Sequence, residues 1–267
     1  MTDQTSSTDT GTLSTEQKRE IVDTGFTLLR NIVPADKVAA ALRVINAALG
    51  ANGADPARLD IFRAQSWVPE VTGDPAIIAL LTETPLWSLA ESAIGTGTIE
   101  PVESGQIAMR FPSTQPAGTP HAHIDGMYTP TNGVPEGQIR NFTALVGVYL
   151  SDVPTPDAGN FVVWPGTHRI YADYFARAGA DALLNGMPPV EIGDPVQTLP
   201  NAGDAVLSHY QIGHGIASNV SPNIRYAIYF RLKRIGHDEI RQEVMTDLWR
   251  EWDGMRQLVA TSTSLLA

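Results

Sequence analysis

Two short histidine-containing segments carry side chains that can bind a metal ion. They are residues 120–126 (PHAHIDG) and residues 208–215 (SHYQIGHG). In a strand, side chains two residues apart point to the same face, so His123 and Asp125 are predicted to present an imidazole and a carboxylate to one point. His214, on a distant strand, is our candidate for the third ligand. A three-ligand face of this kind leaves the opposite coordination positions open, which is the geometry of non-haem iron(II) oxygenases.

His121 is the alternative to His123 as a ligand. It shares a strand face with Asp125, but four residues at about 3.3 Å each place their Cα atoms roughly 13 Å apart. A position behind a ligand or facing the substrate suits His121 better. The remaining histidines are predicted to be structural: a core or pocket position for His209, a hydrogen bond to the turn after Pro165-Gly166 for His168, and the surface start of a helix for His237.

An oxygenase of this kind that uses 2-oxoglutarate also needs a cation for the far carboxylate of that cosubstrate. The planar, permanently charged guanidinium of arginine suits a carboxylate. Arg225 follows His214 by 11 residues, and a strand–turn–strand of that length brings it back beside the metal. A structural salt bridge is the alternative role for this arginine.

The amino-acid composition excludes several kinds of site and disfavours one class of partner. The chain has 267 residues, no cysteine and a net charge of −11. Disulfides, thiolate metal sites and cysteine nucleophiles are therefore excluded, and the acidic total disfavours nucleic acid as a partner. We expect no membrane span, a disordered tail over residues 1–13, a cytoplasmic location, and a monomer or homodimer.

The sequence pattern changes along the chain from helical to strand-like. The first third is predicted to be helical, beginning with a capping box at Ser14 and Gln17 before a helix over 15–24. Strands are predicted at residues 26–30, 106–111, 141–150, 160–164, 204–208 and 225–232. A helical insert is expected over 170–184 and a C-terminal helix over 237–258.

This order of elements predicts one domain, residues 14–267, that is mainly β with flanking helices. Many short strands with most helices outside the strand block favour a barrel or a double-sheet sandwich, braced by N-terminal and C-terminal helices. The alternation of strands and helices is too irregular for a doubly wound parallel sheet.

The motifs and their order resemble those of the phytanoyl-CoA dioxygenase-like family. The resemblance rests on His-x-Asp at 123–125, on GNFVVWPGTH at 159–168, and on His214-Gly215 with Arg225 eleven residues after the histidine. The segment GFTLLR at 25–30 is similar to the usual start of the family. The resemblance covers roughly residues 15 to 233.

The resemblance implies a double-stranded β-helix, or jelly roll, that holds Fe(II) at its open end through His123, Asp125 and His214. It further implies that 2-oxoglutarate pairs with Arg225 and that Gln106 reaches toward it. The family uses O2 to couple decarboxylation of 2-oxoglutarate, which gives succinate and CO2, to oxidation of a second substrate. Hydroxylation of an unactivated C–H bond is the usual result.

Two departures from the family pattern concern the cosubstrate pocket. The family often has Gln between the first two ligands and Ser two residues after the distal histidine, where this chain has Ile124 and Ile216. Because Ile216 has no hydroxyl to contact 2-oxoglutarate, another residue is expected to supply the polar contact: Tyr210, Thr143 or Arg110. The related halogenases replace the carboxylate ligand by Gly or Ala, so Asp125 disfavours halogenation.

The substrate pocket is predicted to be shaped by residues 124–140 and 170–189. Their Met127, Tyr128 and Tyr174 indicate a partly apolar small molecule, a metabolite or a natural-product intermediate. Two other classes of protein stay open: a catalytically silent jelly roll that binds metal or ligand, and a metal-dependent hydrolase or isomerase with a general base near the metal.

Overall fold

The N-terminal part of the protein, seen in a computed structural model that describes residues 11–264, is helical as predicted. Helices and one strand follow in this order: α1 (Thr15–Thr24), β1 (Phe26–Leu29), α2 (Ala35–Asn52), α3 (Leu59–Ala64), α4 (Pro75–Thr82) and α5 (Pro85–Ile94). The capping box is confirmed, because the Ser14 hydroxyl accepts from the Gln17 N–H at 3.1 Å and Gln17 Oε1 accepts from the Ser14 N–H at 2.8 Å.

The strands form two antiparallel sheets. They are β2 (Gln106–Arg110), β3 (Ala144–Tyr149), β4 (Phe161–Trp164), β5 (Val196–Gln197), β6 (Ala205–His209), β7 (Gly213–Ile216) and β8 (Arg225–Leu232). The five-stranded sheet has the order β1-β6-β3-β8-β2, and the three-stranded sheet has the order β5-β4-β7. Two antiparallel sheets with external helices are consistent with a double-stranded β-helix, which confirms the predicted fold class.

The five-stranded sheet has one face for the helices and one for the barrel interior. Alternate residues of its strands point to opposite faces. Outer residues such as Met109, Val146 and Phe230 pack in one core with the N-terminal helices. Inner residues such as Ala108 and Leu145 belong to a second core, inside the barrel. The N-terminal helices therefore cover the outer face of the sheet, and the inner face remains available for the predicted metal site.

The C-terminal segment differs from the single helix that was predicted. It consists of α7 (His237–Ile240), two 3₁₀ turns (Glu243–Met245 and Asp253–Met255) and α8 (Arg256–Ser264), while the helical insert is α6 (Thr167–Ala178) with a 3₁₀ turn behind it. The reason is tertiary: the buried Glu251 bonds His237, and a Cβ at Gly254 would collide with the Ser92 carbonyl oxygen. These contacts override the helical spacing of the apolar residues.

Most of the predicted disordered tail, residues 1–10, lies outside the described part of the structure, so disorder there stays a prediction. Leu13, the last residue of that predicted tail, is instead buried, and its N–H donates to Ser92 Oγ at 2.9 Å.

Within residues 11–264, no single helix is both long and apolar enough to cross a membrane. Helices α4 and α5 reach that length only together, across a bend of 55°.

Candidate active site

His123 and His214 are brought together by a short backbone bridge. The His123 N–H donates to the His214 carbonyl at 2.9 Å, and the His214 N–H donates to the His123 carbonyl at 3.0 Å. Gly215 permits this approach, because a Cβ there would lie 2.5 Å from the carbonyl oxygen of His121. The centroids of the two imidazole rings are consequently 4.4 Å apart.

Asp125 reaches the same point by a route that the sequence did not predict. Within residues 120–126 only His123 takes part in a β-bridge, and Asp125 begins a turn with Gly126, whose φ is 92°. Asp125 Oδ1 lies 3.4 Å from His123 Nε2 and 3.7 Å from His214 Nε2. One ligand atom of each residue lies within 4.8 Å of the others, so the three can hold a metal ion, and His121 is not part of this group.

The protonation states suit a divalent cation. His214 Nδ1 lies 3.1 Å from the Ile212 carbonyl oxygen and donates to it, which leaves Nε2 free for a metal. Desolvation, and then the neighbouring His214, lower the pKa of His123. Burial alone would raise the pKa of Asp125, but Arg231 and the two histidines hold it well below its usual range. The group thus offers the Nε2 atoms of two imidazoles and one ionised carboxylate.

Arg231 is a site residue that the sequence reasoning missed. Its Nε and Nη2 donate to Asp125 Oδ2 at 2.9 and 2.7 Å, and its Nη1 donates to Gln106 Oε1 at 2.8 Å. Gln106 itself lines the cavity beside the ligands and also holds Arg231 in place. A signal was present in the sequence: Arg231 follows Arg225 by six residues in one strand, so both point to the inner face.

A cavity of about 330 Å³ adjoins the three ligands. Met127 and Ile216 line it, whereas Tyr128 and Tyr174 do not. Tyr128 follows the Gly126 turn and is 42% exposed, and Tyr174 lies on α6, where it packs against the interior core. Residues 170–189 contact the segment that carries His123 and Asp125 through Met187, whose Sδ accepts from the Ile124 N–H at 3.2 Å.

Arg225 lies buried behind the cavity wall. Its Nε donates to the Gly159 carbonyl at 2.7 Å and its Nη1 to the Ala108 carbonyl at 3.0 Å. Its Nη2 has no hydrogen-bond partner among the described residues. The hydroxyls of Tyr149 and Tyr229 form no hydrogen bond of normal geometry, and they interact with each other. Burial, and then the adjacent Tyr229, raise the pKa of Tyr149 well above its usual value, while Arg225 opposes the shift. Three unsatisfied polar atoms therefore cluster in the barrel interior.

Arg110 and Tyr210, two of the three residues considered as replacements for the family's serine hydroxyl, lie close to the site. Arg110 lines the cavity, and Tyr210 is buried close enough to Asp125 for the carboxylate to raise its pKa further, after burial. Thr143 is instead committed to a structural network, because its hydroxyl donates to Glu251 Oε2 at 2.7 Å.

Three further histidines are buried, namely His168, His209 and His237, and two of them differ from expectation. His237 is not at the surface: its ring is fully buried and bonds Glu251 at 2.8 Å. His168 bonds the Val22 carbonyl of α1 at 3.1 Å, while the turn after Pro165-Gly166 is held by Thr167. Burial lowers the pKa of His168 to about 3 and that of His209 to about 4.

Comparison with known proteins identifies a matching family. The family model described as phytanoyl-CoA dioxygenase (PhyH) matches residues 21–227. None of the curated proteins is similar enough in sequence to match this chain.

Several solved structures share the fold. EctD from S. alaskensis with 2-oxoglutarate and 5-hydroxyectoine has 19% identity over 86% of this chain and 79% of that chain, with a TM-score of 0.57. HygX from Streptomyces hygroscopicus with nickel and 2-oxoglutarate has 16% identity over 84% of this chain and 88% of that chain, with a TM-score of 0.56. An iron-bound form of HygX has 18% identity over 83% of this chain and 87% of that chain, with a TM-score of 0.52.

Proposed function

Since this chain belongs to the phytanoyl-CoA dioxygenase family of non-haem iron and 2-oxoglutarate-dependent oxygenases, we propose that it hydroxylates an unactivated C–H bond of a small metabolite or natural-product intermediate. Succinate and CO2 would be the products of the cosubstrate. The observation that carries the proposal is the convergence of His123, Asp125 and His214 beside a cavity, with the unpaired guanidinium nitrogen of Arg225 buried behind its wall.

The ligand set fits iron(II). Two imidazoles and one carboxylate on one side of an ion leave the opposite positions open, which is the arrangement of non-haem iron oxygenases. Asp125 presents Oδ1 to both histidines, while its Oδ2 is held by Arg231. When bound, iron with 2-oxoglutarate and O2 supplies the oxidising chemistry.

The barrel interior fits the far carboxylate of 2-oxoglutarate. A buried polar atom without a hydrogen bond of normal geometry is costly, so a cluster of them indicates a group that binds there. Arg225 Nη2 and the hydroxyls of Tyr149 and Tyr229 are such atoms, and all can donate to a carboxylate. No acidic residue pairs with Arg225 in the described part of the chain, so its charge is available for an anion.

The protein's own residues hold and shield the reacting centre. Arg231, braced by Gln106, fixes the orientation of the Asp125 carboxylate. Phe161 packs against the His214 ring with centroids 5.4 Å apart, and Leu145 and Ile216 add apolar surface to the cavity. This apolar lining shields His214, which is 6% exposed, and Met127 provides a flexible surface for part of the substrate.

The fold neighbours that bind 2-oxoglutarate, with 5-hydroxyectoine in EctD and with nickel in HygX, support a small-molecule substrate. The 330 Å³ cavity also suits a small molecule. The oligomeric state and the cytoplasmic location stay predictions.

Anaerobic titration of the metal-free protein with iron(II) and 2-oxoglutarate tests the proposal. A weak visible charge-transfer band is expected for the chelate in the wild type, with weaker 2-oxoglutarate binding in Arg225→Gln. Arg43→Gln, which alters an exposed arginine of α2, is the matched control.

Absence of the band at saturating iron and cosubstrate would contradict the proposal and favour the catalytically silent binding protein. A band without slow conversion of 2-oxoglutarate to succinate in air would favour a metal-dependent hydrolase or isomerase.

A further inference from the structure

The cavity is rich in arginine although the protein is acidic overall. The net charge of the chain is −11. Arg63, Arg110 and Arg231 nevertheless line the cavity, Arg225 lies behind its wall, and Asp125 is the one carboxylate among the lining residues. This excess of positive charge indicates that the site receives negative charge from its ligands.

The proposed function, on which this inference rests, accounts for only part of the excess. Asp125 neutralises one charge of iron(II), and the 2-oxoglutarate dianion brings two negative charges. Arg231 is paired with Asp125, and Arg225 is the partner proposed for the far carboxylate of the cosubstrate. With all of these present, the site still carries positive charge before Arg110 and Arg63 are counted.

Arg110 is the cation of the cavity with the weakest set of partners. Among the described residues its guanidinium makes one hydrogen bond, a 3.3 Å contact from Nη1 to the Met109 carbonyl, and no acidic residue lies within salt-bridge distance. It pairs in register with Arg225, so both side chains lie on the inner face of the sheet. Burial, and then Arg225, lower the pKa of Arg110 to about 10, so it is a cation at neutral pH.

Arg63 adds a second guanidinium at the same end of the cavity. It lies on α3, its side chain is 57% exposed, and its one ion pair within the described residues is a long 3.5 Å contact with Asp60, which is 84% exposed. Arg63 and Arg110 line both the cavity and an adjoining outer groove, whose apolar part contains Trp67 and Phe111 at a ring distance of 5.0 Å. The two arginines therefore stand between solvent and the metal ligands.

We propose that the substrate carries a carboxylate, which binds between Arg63 and Arg110 at the outer end of the cavity. Charge-assisted hydrogen bonds from the two guanidinium groups would hold the carboxylate. The remainder of the molecule then extends into the cavity toward the three metal ligands. The substrate class is thus a small organic acid with a largely apolar body.

Binding of matched probes to the anaerobic iron(II)–2-oxoglutarate holoenzyme tests this site by calorimetry, without turnover. The probes are hexanoate and 3-phenylpropionate, each compared with its primary amide. We expect the acids to bind about tenfold or more tightly than the amides, because the amides lack the charge that the arginines recognise. Arg110→Gln and Arg63→Gln should each remove most of this preference, and Arg43→Gln should retain it.

The affinity for 2-oxoglutarate, measured in the same samples before a probe is added, separates the possible failures. Wild-type protein that binds neither iron nor 2-oxoglutarate overturns the proposed function itself. If 2-oxoglutarate binds, equal affinity for acid and amide, no binding of either acid, or an unchanged preference in both arginine variants overturns the carboxylate site. A large loss of 2-oxoglutarate affinity in Arg110→Gln also overturns it, because Arg110 would then belong to the cosubstrate.

Discussion

Arg231 binds one oxygen of Asp125 and leaves the other oxygen to the histidines. Its Nε and Nη2 both donate to Oδ2, at 2.9 and 2.7 Å, while Oδ1 faces the Nε2 atoms of His123 and His214. The carboxylate is thereby held in one orientation even though Asp125 lies in a turn and not in a strand. A residue behind a ligand thus determines which oxygen is available to the metal.

Replacing Arg231 by Gln is expected to weaken iron binding, because the carboxylate of Asp125 loses its fixed orientation. Loss of a residue behind a metal ligand costs about 10- to 100-fold in metal affinity. Anaerobic titration with iron(II) measures the effect, and Arg43→Gln is the control. Wild-type affinity in Arg231→Gln would show that the turn alone positions Asp125.

Substitution of His123 should weaken metal binding, whereas substitution of His121 should leave it unchanged. His123→Ala removes a ligand, so its loss of metal affinity should exceed the roughly 100-fold upper end for residues behind a ligand. His121→Ala should bind iron as the wild type does, because His121 is exposed and lies outside the ligand group. Anaerobic titration with iron(II) measures the metal affinity of both variants. A large loss of affinity in His121→Ala would indicate that His121, and not His123, is the first metal ligand.

Gly147 makes room for the Tyr229 ring inside the barrel. A Cβ at this position would lie 2.6 Å from Tyr229 Cε1. Gly147→Ala should therefore lower the free energy of unfolding by about 1–3 kcal/mol, as overpacking does, and should also weaken 2-oxoglutarate binding by displacing the tyrosine. Urea denaturation and cosubstrate titration measure the two effects.

Tyr229→Phe is the companion variant, since it keeps the ring and removes only the hydroxyl. It should weaken 2-oxoglutarate binding without loss of stability, because that hydroxyl forms no hydrogen bond of normal geometry in the described structure. If Tyr229→Phe binds the cosubstrate normally, the hydroxyl is not part of the anion site.

Mild acid should destabilise the metal-free protein through two buried histidines. The pKa of His209 is about 4 and that of His168 about 3, both below the ordinary value of 6.5. Between pH 6.5 and these values the unfolded chain binds protons that the folded chain does not, so the free energy of unfolding falls as the pH falls. At pH 5 the loss is roughly 2 kcal/mol for each histidine.

Urea denaturation at pH 7 and pH 5 measures this loss, and His209→Gln should reduce it by about half, since one of the two histidines is removed. A free energy of unfolding that is the same at both pH values would contradict the assignment of neutral, buried rings.

The sequence by itself determined the features that depend on neighbouring residues and on residue type. The capping box at Ser14, the strand over Arg225–Leu232 and the ligand types at His123, Asp125 and His214 could all be read from short segments. Such features rest on hydrogen bonds within one helical turn, on the two-residue period of strands, and on the chemistry that each side chain brings.

Only the tertiary structure decided which distant groups meet. It placed Asp125 through a turn at Gly126, bound it to Arg231, and buried His237 against Glu251. The cause is that these contacts join residues up to 106 positions apart, in the case of Arg231 and Asp125. Strand register and the packing of the two sheets set such distances, and no local pattern in the chain encodes them.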